Sequence, residues 1–326
     1  MWIAILGVVT LSLFLYVTRL LTLFTPVPLM ILSIQRGFWV SVIAFFLSLS
    51  TLFILYHLKT LGVFHLPFLS PMGSDLSHVQ TLGLSLLSFF YYGLMGLTIA
   101  YFSQRDLSLE GSVLRILGIT LLVPAILLIG FAKITHLDLI HQWQIEFGGV
   151  FADINSLQTQ AGLSPEDLEA IKSLAPRLIE EMIRLSPSLW IVFTLFMMSM
   201  NILFLRRWVL TADSFPGWRD FTLWRLNEKW IWIPILLGSA FFLELYLLPS
   251  RHLETVLLNA LIVFGAVYFF QGIAIVSFYA RRRLPPLFRT FAYMIGLLFL
   301  QFFGPIIVAL GLFDFWFDFR KPKKVG

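Results

Sequence analysis

Four polar side chains stand inside long apolar stretches of this sequence: Glu244, Asn259, Gln271 and Gln301. A polar group in hydrocarbon is costly and turns toward other protein groups or a water-filled cavity. If the four converge, they form a polar site between the last three apolar stretches, suited to a small polar ligand or a coupling ion. The other outcome is hydrogen bonding between helices, which is worth about 0.6 kcal/mol per pair. Glu244 lies close to Pro249, so it has a third course: to snorkel outward and meet Arg251.

Asp314 and Asp318 form a second constellation, a carboxylate pair at i, i+4 on one helical face. They sit among Phe313, Phe315, Trp316, Phe317 and Phe319, which reads as an aromatic belt at a membrane exit with its acids turned to water. The alternative is a capping salt bridge to Arg320 or Lys321. His136, Asp138, His141 and Glu146 cluster at a spacing that does not put two ligands cleanly on one helical face. A polar collar at the interface is expected there, and no metal. The chain has no cysteine, hence no thiol nucleophile, thiolate metal site or disulfide. It also lacks a G-x-S-x-G elbow, a phosphate-binding loop and a G-x-G-x-x-G turn. Neither an enzyme nor a resident cofactor is expected.

The elements that must position these residues are membrane helices. Hydrophobic residues make up 59% of the 326 and charged residues 13%, with a mean hydropathy of +0.88; a soluble domain is nearer a quarter charged. About 20 apolar residues cross a core of about 30 Å, and eight stretches meet that length: 3–25, 37–57, 81–102, 113–135, 188–206, 230–248, 253–280 and 287–312. A ninth, 26–35, is too short to cross and is expected to be a re-entrant half-helix shielded by other helices. The fold class is therefore all-α, a polytopic membrane bundle of about eight spans plus that half-helix. It divides into an N-terminal membrane half (1–135), an extracytoplasmic amphipathic insert (136–186) and a C-terminal membrane half (187–326). Gly83, Ser85, Ser88, Gly93 and Gly96 give the third span a small-residue side that permits close helix approach.

Orientation follows the basic residues. Arg206, Arg207, Arg219, Arg225 and Lys229, and then Arg281, Arg282, Arg283 and Arg289, should face the cytoplasm. The insert carries eight acidic against three basic side chains while the whole chain is +5, so it falls outside, and the positive balance reflects topology rather than nucleic acid. Ser164-Pro165-Glu166-Asp167 reads as a helix start. The amphipathic helix beyond it is a surface connector, or else a gate or partner-binding element. The first span lacks the basic leader and cleavage site of a signal peptide. From Leu287 to Phe319 a helix would run about 50 Å, too long for one crossing and too short for two. A single crossing kinked at Gly304-Pro305 is expected, in preference to a hairpin broken there.

Several pieces in order along the chain resemble the YybS-like family of bacterial membrane proteins. They are Pro26-Val27-Pro28 with Arg36-Gly37; Phe221 to Leu226 with Trp224-Arg225, followed by Asn227 where proline is usual; Phe270-Gln271-Gly272; and Gly311, Asp314, Asp318, Arg320 and Lys321 near the end. That family is distantly similar to vitamin-transporter substrate-binding components, whose six helices include a short second one. Those components dock their energy-coupling partner through small residues of the first helix, where this chain has only Ala4 and Gly7 among bulky neighbours. The resemblance implies a bacterial cytoplasmic (inner) membrane location. The expected partners are the lipid bilayer and either a small solute or a membrane protein. The leading expectation is a non-enzymatic solute- or lipid-binding, transport-type subunit; the alternative is a scaffold in an envelope-assembly complex.

Overall fold

Every long apolar stretch of the sequence is largely helical, and the charged insert is helical as well. The computed structural model of this protein describes residues 1–19, 21–61, 76–105, 108–160, 165–208, 221–247 and 249–320; Ser164, the expected helix cap, and Lys321 lie outside them. The described residues contain eleven α-helices and no strand, as a polytopic helical membrane bundle requires, since each backbone group must be satisfied within its own segment. The helices are α1 (Trp2–Val17), α2 (Pro26–Arg36), α3 (Phe38–Thr60), α4 (His78–Ser103), α5 (Leu109–Ile134), α6 (Leu139–Gln160), α7 (Pro165–Trp208), α8 (Trp232–Leu247), α9 (Arg251–Arg283), α10 (Pro286–Leu298) and α11 (Leu300–Phe317).

Among the described residues, seven helical stretches are long and apolar enough to cross a membrane. They include α3, α4, α5, α9, α11 and the Ser173–Arg206 part of α7. The first expected span, 3–25, is shorter than the sequence suggests. Its helix stops at Val17, where Arg19 takes a left-handed φ of 54°. The Thr18 and Thr22 hydroxyls donate to the carbonyls of Leu15 and Tyr16, at 2.9 and 3.0 Å, so local side chains satisfy the last turn and let the helix end. The insert contributes α6, while α7 runs without interruption past residue 186 into the following span.

Met1–Arg184 and Phe193–Gly217 form one compact unit; Leu185–Val192 and Trp218–Gly326 form another. In the first, α2 is the half-helix. Its 11 residues pack against α1, α3 and α4, and Leu29 and Met30 are fully buried. Pro26 stands at the first helical position, where its missing N–H is no loss. A Cβ on Gly96 of α4 would meet the Pro26 carbonyl oxygen at 2.7 Å, so glycine is what allows the two backbones to touch. Gly37 closes α2 with φ +97°, a conformation that favours glycine, and turns the chain straight into α3. Ser41 of α3 then donates to the Leu29 carbonyl at 2.7 Å.

The last expected span is corrected in the second unit. The stretch 287–312 is not one crossing: α10 ends at Leu298 and α11 starts at Leu300, with the break at Phe299 (φ −105°, ψ 31°) rather than at Gly304-Pro305. A Cβ on Gly311 would meet the Tyr268 carbonyl oxygen at 2.0 Å, and further along the Tyr279 hydroxyl donates to the Phe319 carbonyl. Contacts that advance together along both helices mean that α9 and α11 run parallel, so α10 is the antiparallel return. The segment thus folds as a hairpin and brings Phe319 and Arg320 to the end of α9 that carries Arg281, Arg282 and Arg283. Proline acts four residues upstream, through the hydrogen bond it cannot make and the carbonyl its ring crowds. For Pro305 that carbonyl belongs to Gln301, beside the observed break.

Candidate functional site

Where α9 and α11 run side by side, glycine sets the spacing. Cβ atoms on Gly272 and Gly311 would lie 2.0 Å from the carbonyl oxygens of Ile307 and Tyr268. Such contact brings neighbouring polar side chains within reach of each other. Asp314, one turn beyond Gly311, has a side chain with no exposure at all. Its carboxylate forms an ion pair with Arg320, accepts from the Gln271 amide at 3.2 Å and accepts from the Phe319 N–H at 3.2 Å. The expectation that both acids turn to water is therefore corrected for Asp314: the capping salt bridge to Arg320 prevails because the chain ends its helix against α9. Asp318, half-buried, is the αL residue that closes α11, with φ 41°.

The segment 221–226 enters the same cluster. Arg320 donates to the carbonyls of Trp224 and Thr222 at 2.6 and 3.2 Å. Arg225 donates to the Asp314 and Phe315 carbonyls at 3.2 and 3.3 Å, at the C-terminal end of α11, where the helix dipole favours a cation. It also lies 3.5 Å from the Asp318 carboxylate and 4.0 Å from that of Asp314. Gln271 completes the circuit by accepting from the Leu226 N–H at 3.4 Å. Two guanidiniums and two carboxylates neutralise one another, and an amide spans the middle. The Trp224 indole N–H is buried with no hydrogen-bond partner among the described residues.

Chemically this is a lock. Its charged groups are spent on their own chain, and it fastens the 221–226 approach, α9 and the end of α11 together. Trp224, Arg225, Gln271, Gly272, Asp314, Asp318 and Arg320 all converge here, although the sequence placed them in three separate motifs. Pro26, Pro28 and Gly37 belong to the half-helix of the other unit.

The four intramembrane polar residues do not converge. Glu244, 4% exposed, accepts from the Ser250 N–H at 2.8 Å, so it holds the residue that caps α9 instead of reaching outward. Asn259 accepts from the Ser188 N–H at 3.0 Å and donates to the Thr255 carbonyl at 2.8 Å. Gln271 belongs to the lock, and Gln301 is exposed on α11. A residue the sequence reading passed over is Asn201 of α7, fully buried, whose amide donates to the Leu23 and Met197 carbonyls at 2.8 Å each. The signal was the same as for Asn259, an amide in an apolar run. Of the histidine cluster, Asp138 accepts from the N–H groups of Ile140 and His141 at 3.0 Å each and caps α6. Among the described residues, no group of three or more His, Cys, Asp or Glu side chains could hold a metal ion.

A family model described as predicted membrane protein (DUF2232) matches residues 76–315, well over half of the chain. The chain belongs to that family. Within this DUF2232 protein the match takes in Trp224, Arg225, Gln271, Gly272 and Asp314; it begins after the half-helix and stops before Asp318 and Arg320. No curated protein and no solved structure matches the chain.

Proposed function

We propose that this DUF2232 protein is a non-enzymatic scaffold subunit of the bacterial cytoplasmic membrane, which offers a rigidly held helical hairpin to a membrane-embedded protein partner. The observation that carries the reading is how its polar groups are used. Glu244, Asn259 and Gln271, candidates for lining a solute site, are each engaged by their own chain. The lock meanwhile fixes α11, leaving an apolar, aromatic-rich surface on α10 and the start of α11: Phe288, Phe291, Leu298 and Phe302 are all more than half exposed. The basic ends of α7 and α9 support a cytoplasmic-membrane orientation. Photo-crosslinking from Phe291 and Phe302 in the native membrane tests this. The scaffold reading expects one discrete adduct with a protein, lost when the lock is broken by Asp314→Ala; adducts with lipid alone would overturn it.

A second reading, a solute- or lipid-binding, transport-type subunit, has one observation in its favour. An open cavity of about 640 Å³ lies at the α5–α6 corner, lined by Ile129, Ala132 and Leu137 together with Lys133, His136 and Asp138. A ligand at 100 times its Kd stabilises a protein by about 2.7 kcal/mol. A thermal-shift screen of solutes and lipids that finds stabilisation abolished by Lys133→Ala would favour this reading over the scaffold.

A further inference from the structure

The corner where α9 turns into α10 carries four arginines. Between Glu254 and Arg281 the α9 helix has no charged residue. That stretch rises about 39 Å, more than a hydrocarbon core of about 30 Å, so Arg281, Arg282 and Arg283 stand at the membrane surface. α10 begins at Pro286, and Arg289 lies only about 4.5 Å further along it, close to the same level. All four are exposed. Among the described residues, Arg282, Arg283 and Arg289 have no ion-pair partner. The acids that the lock brings to this end, Asp314 and Asp318, face Arg320 and Arg225.

The same corner is also apolar. Leu284 and Leu287 are exposed beside the arginines. The Arg283 guanidinium lies over the Tyr279 ring, 5.7 Å from its centre, and the Tyr279 hydroxyl is tied to the Phe319 carbonyl. A cation held on an aromatic face in this way stays against the helix. Guanidinium groups fork the oxygens of a phosphate, and the cluster's charge alone would suit any phosphate. Its place at the end of a spanning helix, with leucines alongside, narrows the choice. A phospholipid brings a phosphate and an apolar chain to that level together.

We infer that Arg282, Arg283 and Arg289 form a headgroup site for an anionic phospholipid, whose phosphodiester the guanidiniums bind while its chains start beside Leu284 and Leu287. Each cation close to an anionic membrane surface contributes about fivefold in binding. Three together give a preference of about 100-fold over a lipid with no net charge. The inference rests on neither reading of the function, because it invokes no protein partner and does not use the α5–α6 cavity.

Since the protein has no cysteine, a fluorophore on Leu284→Cys reports this corner alone. The full chain is placed in phosphatidylcholine vesicles that contain a rising fraction of phosphatidylglycerol, brominated near the top of its chains as a quencher. Quenching should reach its half-point at a far lower fraction of brominated phosphatidylglycerol than of equally brominated phosphatidylcholine. Combining Arg282→Gln, Arg283→Gln and Arg289→Gln should raise the phosphatidylglycerol half-point about 100-fold, and Arg289→Gln alone about fivefold. The single variant serves if the triple one misfolds. Arg36→Gln, at an exposed arginine of the other unit, should leave the half-point unchanged. The inference is overturned if the two brominated lipids quench alike, or if the half-point ignores Arg289→Gln or moves as far with Arg36→Gln. Release of the quencher by millimolar glycerol phosphate would also overturn it, since the corner would then be a site for soluble phosphate.

Discussion

Asp314 and Asp318 are four residues apart in sequence and belong to different electrostatic worlds. Asp314 has no exposed side-chain surface and faces Arg320, whose side chain is 7% exposed, while Asp318 and Arg225 are 26% and 30% exposed. A buried charge is tolerated only while its partners remain, and removing one partner of such a pair typically costs about 3–5 kcal/mol. An exposed pair is worth about 0–1 kcal/mol. Asp314→Ala should therefore destabilise the second unit by about 3–5 kcal/mol, whereas Asp318→Ala should change it by no more than about 1 kcal/mol. Thermal unfolding of the two variants in one detergent compares them directly; equal losses would mean that both acids act alike and that the burial of Asp314 has no energetic consequence. The sequence motifs took in the residues of the lock, Thr222 included within the segment Phe221 to Leu226. They could not say which acid faces inward, because an i, i+4 pair lies on one face whatever that face meets.

Glycine decides matters at the scale of the elements. Gly272 and Gly311 leave no room for a methyl group between α9 and α11, while Gly265, also on α9, has nothing within 4 Å of a Cβ position. Overpacking of a tight contact costs about 1–3 kcal/mol, and alanine in place of an open helical glycine gains about 0.5–1 kcal/mol. Gly272→Ala and Gly311→Ala should each lower stability and loosen α11, with Gly265→Ala neutral or stabilising. Unfolding measured in bicelles separates the three, and a harmless Gly311→Ala would contradict the close parallel packing. In the other unit, Gly37→Ala places a Cβ at φ +97° and ψ 156°, an essentially glycine-only conformation that costs other residues about 1–3 kcal/mol. The turn between the half-helix and α3 should weaken by that amount, seen as a lower unfolding midpoint. The stretch from Pro26 to Gly37 was legible as a short helix of its own from its length and its bounding prolines and glycine. That Pro26 rests on Gly96 was not, since nothing in either stretch names the other.

The hairpin matters most at the scale of the whole molecule, because it sets the side on which the chain leaves the membrane. A single crossing through 287–312 would carry the tail to the face opposite Arg281–Arg283. The α10–α11 return instead brings Phe319 beside Tyr279, and so agrees with the distribution of basic residues. In the cysteine-free chain, single cysteines at Arg282 and at Val325 should be labelled by an impermeant maleimide from the same face of sealed vesicles. Labelling from opposite faces would restore the single crossing.

Composition and run length determined by themselves that this is a polytopic helical membrane protein with a short apolar helix near its start, because the bilayer fixes how many apolar residues a crossing needs. The motifs that carry the family resemblance contained the residues of the later lock, and the absence of cysteine excluded thiol chemistry. Only the tertiary structure decided that Asp314 turns inward, that Glu244, Asn259 and Gln271 serve three separate contacts, and that the last stretch is a hairpin. Each of these depends on which helix lies alongside. Membrane helices are apolar on every side, so their sequence periodicity carries little trace of the neighbour that glycine contacts and polar pairs select.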